Sequence, residues 1–314
     1  MRIALVTPAG AGSRAGNRHT ALRWAAMLRA RGHRVSIATQ WQPDEKTELM
    51  LALHARRSHA SIKQFAATHP DKPIVLALTG TDVYRDIHTS AEAKESLEFA
   101  TRFIVLQPKA IEELPARMRS KASVVYQSCS THLRHAPVRR SFRLCVIGHL
   151  REEKDPLRAL AALRHLPAGL RIELVQAGES LDDALAAAAR RGMAHDPRYR
   201  WLGSVPHSHA LRLLASSHAM VISSRMEGGA NVVSEAIRIG VPVIASRISG
   251  NVGLLREDYP AYYKLGDERM LAALITDSAT KLQFYRKLKK LIVKLQPTVA
   301  PENEARLLAK AVKA

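Results

Sequence analysis

The chain opens with an apolar run, Ile3-Ala4-Leu5-Val6, which reads as a short buried strand over Arg2–Thr7. The glycine-rich Pro8–Asn17 follows as a loop. Arg18–Arg31 then repeats apolar residues at helical spacing, with Ala21, Trp24, Ala25 and Leu28 on one face. Gly32 reads as the helix stop and Val35–Ala38 as a second strand. This is a βαβ unit, so a parallel sheet is expected. Leu49–Leu53, Ile74–Leu78, Phe103–Leu106 and Val124–Tyr126 continue it as strands. The polar, basic Ser128–Ser141 reads as a linker.

A second series begins after it. Strands are expected at Arg143–Ile147, Arg171–Gln176, Arg200–Leu202, Met220–Ile222 and Val243–Ala245. Helices are expected at Pro156–Leu166, Leu181–Arg191 and Asn231–Ile239. The pattern predicts an α/β chain of two Rossmann-like domains facing a central cleft: residues 1–136, residues 137–298, and a last helix in 299–314 that crosses back to the first domain. In such sheets ligands bind beyond the carboxyl ends of the strands.

Length and composition agree with that division. At 314 residues the chain suits two domains, and 46% apolar residues suit a globular protein. Two cysteines, Cys129 and Cys145, cannot make a disulfide framework, and the apolar stretch of Met1–Val6 is too short to read as a signal peptide. A cytoplasmic protein is the expectation. Lys and Arg number 48 against 28 Asp and Glu, a formal charge of +20, which points to anionic partners. Residues 1–140 hold 22 basic and 11 acidic residues, so the excess is not gathered in a tail. With aromatic residues at only 5% and no basic stripe, a nucleic-acid-binding protein is the disfavoured alternative. Lys281–Lys294 is a basic amphipathic helix that either packs on a domain or lies on an anionic membrane, and packing is the favoured reading.

Three segments carry the candidate chemistry. In the first loop, Gly12, Ser13, Arg14, Asn17 and Arg18 crowd a helix N-terminus, where free N–H groups and guanidinium groups favour a phosphate. His54 with Arg57, and Thr81 with Asp82, stand at the carboxyl ends of two predicted strands. Asp82 is a candidate to orient His54 or a ligand hydroxyl. The third segment has Glu227 and Glu235 eight residues apart, separated by Gly228, Gly229, Ala230, Asn231 and Val232 at a helix start. Glycines let a phosphate approach bare backbone, and each carboxylate suits sugar or ribose hydroxyls.

This last segment resembles the E-x7-E motif of the retaining GT-B glycosyltransferases of family 4. Val146–Pro156 resembles that family's strand, glycine and Arg…Lys diphosphate loop; Leu202–Pro206 and Gly240–Ala245 resemble two further elements of it. The resemblance implies a nucleotide-sugar half in which Glu235 holds the ribose, Glu227 holds a sugar hydroxyl, and Gly203 and Ser204 lie on the base side. Arg151 and Lys154 would neutralise the diphosphate as it leaves. It implies no metal and no cofactor, the UDP-sugar being a substrate; Asp182-Asp183 lies in an Ala-rich helix and makes no D-x-D.

The first half is similar to a narrower group. Thr7-Pro8, Gly12–Arg18, Leu53–Ser58 and Leu78–Tyr84 resemble the selenosugar synthases of selenoneine biosynthesis. That resemblance implies formation of a carbon–selenium bond between UDP-N-acetylglucosamine and selenophosphate, with His54 as a positioning or phosphate-binding group. Two anions sharing one cleft repel by roughly 3 kcal/mol per charge pair at about 6 Å. Cations on both walls would offset this: Arg14, Arg18 and Arg57 on one, Arg151 and Lys154 on the other. A GT-B enzyme with a lipid or carbohydrate hydroxyl acceptor is the alternative, and there a base near His54 or Asp82 would matter more.

Overall fold

The structure is a computed structural model that describes residues 1–13, 16–43 and 46–313. The chain divides into two compact units. One comprises Met1–Gln127 with Pro301–Ala314, the other Ser128–Ala300.

The first unit is a six-stranded parallel sheet. Its strands are β1 (Arg2–Val6), β2 (Arg34–Ala38), β3 (Leu49–Leu53), β4 (Ile74–Leu78), β5 (Arg102–Val105) and β6 (Ala122–Val124), in the order β2-β1-β3-β4-β5-β6. Continuous apolar strands are what a parallel sheet covered on both faces demands. Ala4, Val6, Met50 and Ala52 enter one core cluster, and Ile3, Leu5, Leu49 and Leu51 enter the other, as the period of two requires. The helices α1 (Gly16–Arg29), α2 (His59–Thr68), α3 (Ile87–Thr89) and α4 (Ala91–Phe99) cover the faces. The last helix of the chain, Pro301–Lys313, also belongs here: Leu308, Ala311 and Val312 pack with Trp24 and Leu28 of α1.

A buried carboxylate fixes that packing. Glu304 is fully buried and accepts from the indole Nε1 of Trp24 (2.7 Å) and from Nε (2.8 Å) and Nη2 (3.1 Å) of Arg23. Glu304→Gln keeps an acceptor for the indole but removes the charge opposite Arg23. We expect it to lower unfolding stability by about 1–2 kcal/mol, measured by urea unfolding.

The second unit is again a six-stranded parallel sheet. Its strands are β7 (Phe142–Ile147), β8 (Ile172–Ala177), β9 (Tyr199–Trp201), β10 (Ala219–Ile222), β11 (Val243–Ser246) and β12 (Tyr262–Tyr263), in the order β12-β11-β10-β7-β8-β9. Its helices are α5 (Arg158–Leu163), α6 (Asp183–His195), α7 (His207–Ala215), α8 (Asn231–Ile239), α9 (Ser249–Leu255), α10 (Glu268–Thr280) and α11 (Leu282–Leu295), and the Pro301–Lys313 helix is α12. The strand order grows outward in both directions from β7, so the topological switch point lies between β7 and β10.

The linker expectation changes, whereas the basic helix packs as the favoured reading had it. Ser128–Ser141 holds no helix or strand, but it is strapped to the second unit rather than spanning freely. The N–H groups of His135, Ala136 and Val138 donate to the carbonyls of Ile239, Ala215 and Ser216. Cys129, read as a linker residue, is buried, and its N–H donates to Val299 O. The basic helix α11 spends its apolar face within its own unit. Leu288, Ile292 and Leu295 are buried, and Tyr285 Oη donates to His218 O (2.9 Å). That leaves no continuous apolar face for a membrane surface, and among the described residues no helix is long and apolar enough to cross one.

Candidate active site

In the second unit the carboxyl ends of β7 and β10 frame a pocket at the switch point. Gly148, His149 and Lys154 line it from the segment after β7. Ser223, Ser224 and Glu227 line it from the segment after β10, and Val232 from the first turn of α8.

The two segments are pinned to each other through backbone. Ser223 Oγ donates to the carbonyls of Asp155 (2.7 Å) and Lys154 (3.1 Å), and the Arg225 N–H donates to Glu153 O (2.8 Å). Asp155 adopts a left-handed backbone (φ 43°), and its carboxylate accepts from Arg158 Nε (2.8 Å). This tight turn delivers the Lys154 ammonium to the buried Glu227, with which it forms an ion pair. Ser224 Oγ donates to the same carboxylate oxygen of Glu227 (2.6 Å).

A second layer supports Glu227. Ser246 Oγ donates to Ser224 O (2.7 Å), and Asn251 Nδ2 donates to Ser246 O (2.9 Å). Gly250 sits so close that a Cβ there would lie 1.9 Å from Glu227 O. On the other side, a Cβ at Gly178 would lie 1.9 Å from Gly148 O, so only glycine lets the end of β8 support the start of the His149 segment.

The start of α8 is open. Its N-cap, Ala230, offers no side-chain acceptor, and its first turn holds no acid. The first N–H groups of the helix, with the positive end of its dipole, therefore suit an anion. The far end is closed by Gly240 in a left-handed conformation (φ 93°), whose N–H bonds back to Ala236 O (2.9 Å). One turn into α8, Glu235 Oε1 meets Nε2 of His207 at 2.8 Å. The hydrogen bond to Glu235 raises the His207 pKa above its usual value, against the opposing effect of burial. Gly203 takes a left-handed backbone (φ 65°), and its carbonyl accepts from Gly178 N–H (2.8 Å); Ser204 beside it is exposed.

Sequence-predicted residues thus fall into two groups here. Lys154, Glu227 and Val232 share the pocket, and Gly228, Gly229, Ala230 and Asn231 form the connection between Glu227 and α8. Arg151 does not line it: the residue is exposed, at the head of the short 3₁₀ turn Glu152–Lys154. His149 lines the pocket instead, and its Nδ1 is buried with no hydrogen-bond partner among the described residues. Its place just beyond a strand's carboxyl end, after Gly148, was the one sequence signal for it.

In the first unit, the segments after β1 and β3 lie at the corresponding switch point. Gly12 is exposed, Ser13 N–H donates to Gly10 O (3.1 Å), and Asn17 and Arg18 are half-buried in the first turn of α1. The Nε of Arg18 is buried with no partner among the described residues. Arg14 lies outside the described residues.

His54 is buried and left-handed (φ 77°), a conformation that costs energy in a residue with a side chain. Its Nδ1 accepts from Arg57 N–H (3.3 Å), which puts the neutral ring's proton on Nε2. Nε2 faces Thr81 Oγ1 (3.4 Å) and Asp86 Oδ2 (3.8 Å). Burial pushes the imidazole below its usual pKa, with Asp82 acting in the opposite sense.

Asp82 does not orient the ring. It is fully buried and accepts from the N–H groups of Ala55 (3.2 Å), Thr79 (2.9 Å) and Gly80 (2.8 Å), so it shapes the loop. Asp86 faces His54 instead. Burial disfavours its charge, but hydrogen bonds from Arg85 and Arg56 outweigh this and hold the carboxyl below its usual range. Arg56 is thereby occupied, while Arg57 is exposed.

Comparison with known proteins gives this arrangement a family. Three solved structures share the architecture across both units. Anabaena HepE in complex with UDP has a TM-score of 0.80 at 15% identity, covering 99% of each chain. Sucrose-phosphate synthase from Thermosynechococcus elongatus has a TM-score of 0.79 at 16% identity, covering 100% of this chain and 98% of the other. The lipopolysaccharide outer core galactosyltransferase WaaB in its apo form has a TM-score of 0.75 at 14% identity, covering 99% of each. The two parallel six-stranded α/β units are those of the GT-B fold. Residues 134–290, half of the chain and all of the pocket just described, match the family of glycosyl transferases group 1. The chain belongs to that family and is a glycosyltransferase.

Proposed function

We propose that this enzyme transfers N-acetylglucosamine from UDP-N-acetylglucosamine to selenophosphate, forming a carbon–selenium bond and releasing UDP. The observation that carries the donor half is the meeting of Lys154 and Glu227 beside the open N-terminus of α8, at the switch point of the second sheet. HepE was solved with UDP and with UDP-glucose, which supports a UDP-sugar donor for a chain of the same fold.

In this reading the diphosphate takes over Lys154, joined by His149 and by the N–H groups of Asn231 and Val232. Glu227, released from Lys154, accepts from a sugar hydroxyl, and Glu235 accepts from the ribose. Gly203 and Ser204 flank the base, and Arg151 contributes charge from outside the pocket. Selenium donates a lone pair to C1 while the C1–O bond to the diphosphate breaks, and that bond's electron pair leaves with UDP. Cations and helix N–H groups stabilise the charge that gathers on the leaving group.

The acceptor half rests on the first-unit motifs. Gly12, Ser13, Arg14, Asn17, Arg18, Arg57 and Thr81 would hold the phosphate end of selenophosphate, with His54 fixing the loop beside them. One observation favours an anionic acceptor over a hydroxyl. His54 accepts through Nδ1 from its own chain and carries its proton on Nε2, so it offers no vacant base. A selenium anion needs none, whereas a hydroxyl must lose a proton as it reacts.

The test is incubation with UDP-N-acetylglucosamine and selenophosphate, or thiophosphate, followed by mass spectrometry. The reading predicts UDP release together with an N-acetylhexosamine linked at C1 to phosphate through selenium, or through sulfur when thiophosphate is supplied. Release of UDP only when a sugar or lipid hydroxyl acceptor is supplied would overturn it.

A further inference from the structure

The imidazole paired with Glu235 has no part in the reaction just proposed. His207 stands at the start of α7, six residues after the end of β9, following the connection that carries Gly203 and Ser204. Its side chain is 63% exposed while that of Glu235 is only 14% exposed, so the histidine closes over the carboxylate from the solvent side. This is the one hydrogen bond that the Glu235 carboxylate makes among the described residues.

We infer that His207 is a positioning residue for the UDP-sugar: it latches Glu235, the ribose-side carboxylate, to the base-side loop, so that both halves of the nucleoside are met by one preset surface. The inference rests on the reading that Glu235 receives the ribose.

Three physical points support it. The first is lone-pair arithmetic. A carboxylate offers about four acceptor positions, so one imidazole N–H leaves enough for the two hydroxyls of a ribose. His207 and the nucleoside therefore share the carboxylate and do not compete for it. The second is entropy. An unheld glutamate must give up rotamer freedom when the donor arrives, and a glutamate already fixed by its neighbour has given it up beforehand. The third is geometry. The base-side loop is itself fastened to the sheet, with Gly178 N–H donating to Gly203 O, so the latch ties Glu235 to a firm support.

The pair also predicts a pH dependence. Hydrogen bonding to Glu235 raises the affinity of His207 for its proton, so the protonated ring makes the stronger, charge-assisted bond. Donor binding is then tightest below the titration of His207 and weakens as pH rises through it. Glu235 is the charged group that raises the ring's affinity for its proton; Arg238 on α8 and His209 and Arg212 on α7 are the other titratable groups of these two helices. The diphosphate of a UDP-sugar is doubly esterified and keeps its charge over this range, so the phosphates contribute no slope.

The experiment is calorimetric binding of UDP-N-acetylglucosamine, without acceptor, from pH 6 to 9. It compares the natural protein with His207→Ala, His207→Gln and Glu235→Ala. His207→Ala should weaken binding about three- to ten-fold at pH 6, the loss of one hydrogen bond. His207→Gln keeps an N–H donor at the same reach; it should restore most of the affinity and give a flat pH profile. Weakened binding in Glu235→Ala with unchanged or tighter binding in His207→Ala would overturn the latch while leaving the ribose assignment standing. Unchanged binding in Glu235→Ala would instead remove the reading beneath it, and the latch with it.

Discussion

Lys154→Ala is expected to lower kcat by about 10²–10³-fold, the usual effect of removing one preorganised group from a developing negative charge. The physical reason is local. Lys154 is the cation that lines the pocket at the end of a turn, and that turn is held by Ser223 and Arg225 through backbone carbonyls. The turn should therefore persist when the side chain is cut back. What remains is Glu227, a buried carboxylate left with Ser224 Oγ as its partner in the pocket. Some loss of stability is expected from this unpaired charge, so a melting curve must accompany the rates. Lys154→Arg keeps the charge but not the compact ammonium, and should recover only part of the loss. The assay is UDP release at saturating donor. A rate within a few-fold of the natural enzyme would show that Lys154 does not meet the leaving group.

Gly250→Ala is the second large effect, and it acts without touching the pocket. A Cβ there would lie 1.9 Å from Glu227 O, 2.8 Å from its carbonyl carbon and 2.9 Å from its Cβ. The clash is with backbone on both sides, so no side chain can rotate to relieve it. The segment that carries Glu227 must move by about 1 Å or more, and a displacement of that size costs on the order of 10²-fold in rate. Expected results are a fall in kcat/KM of that order and a lower melting temperature. An active, equally stable Gly250→Ala protein would mean that the Glu227 segment is not seated on α9 as described.

These effects show why the sequence reveals some of the site and not the rest. The limits of β3, β4 and α8 are legible residue by residue, because each signal is local. Leu49–Leu53 and Ile74–Leu78 are unbroken apolar runs, and α8 begins after Gly228-Gly229-Ala230 and stops at Gly240. The expected Pro156–Leu166 helix shrinks to Arg158–Leu163 because Glu152–Lys154 form a 3₁₀ turn and Asp155 turns left-handed. That turn is held by Ser223, a partner 68 residues away. His149 stayed hidden for a similar reason: its meaning depends on β7 lying beside β10, a pairing that no local pattern states. The strap after Gln127 likewise bonds to carbonyls of α7 and α8 and their ends. Asp82 and Asp86 could not be told apart by spacing. A π-helical turn over Asp82–Asp86 separates them, sending one carboxylate into its own loop and setting the other before His54.

Hydrogen exchange in the presence and absence of UDP-N-acetylglucosamine tests the donor pocket most directly, because it reports where the ligand sits without requiring turnover. Binding should slow amide exchange in two segments, 147–155 and 223–236, with the first N–H groups of α8 protected most. Saturating donor that leaves both segments unchanged while protecting another surface would contradict the account.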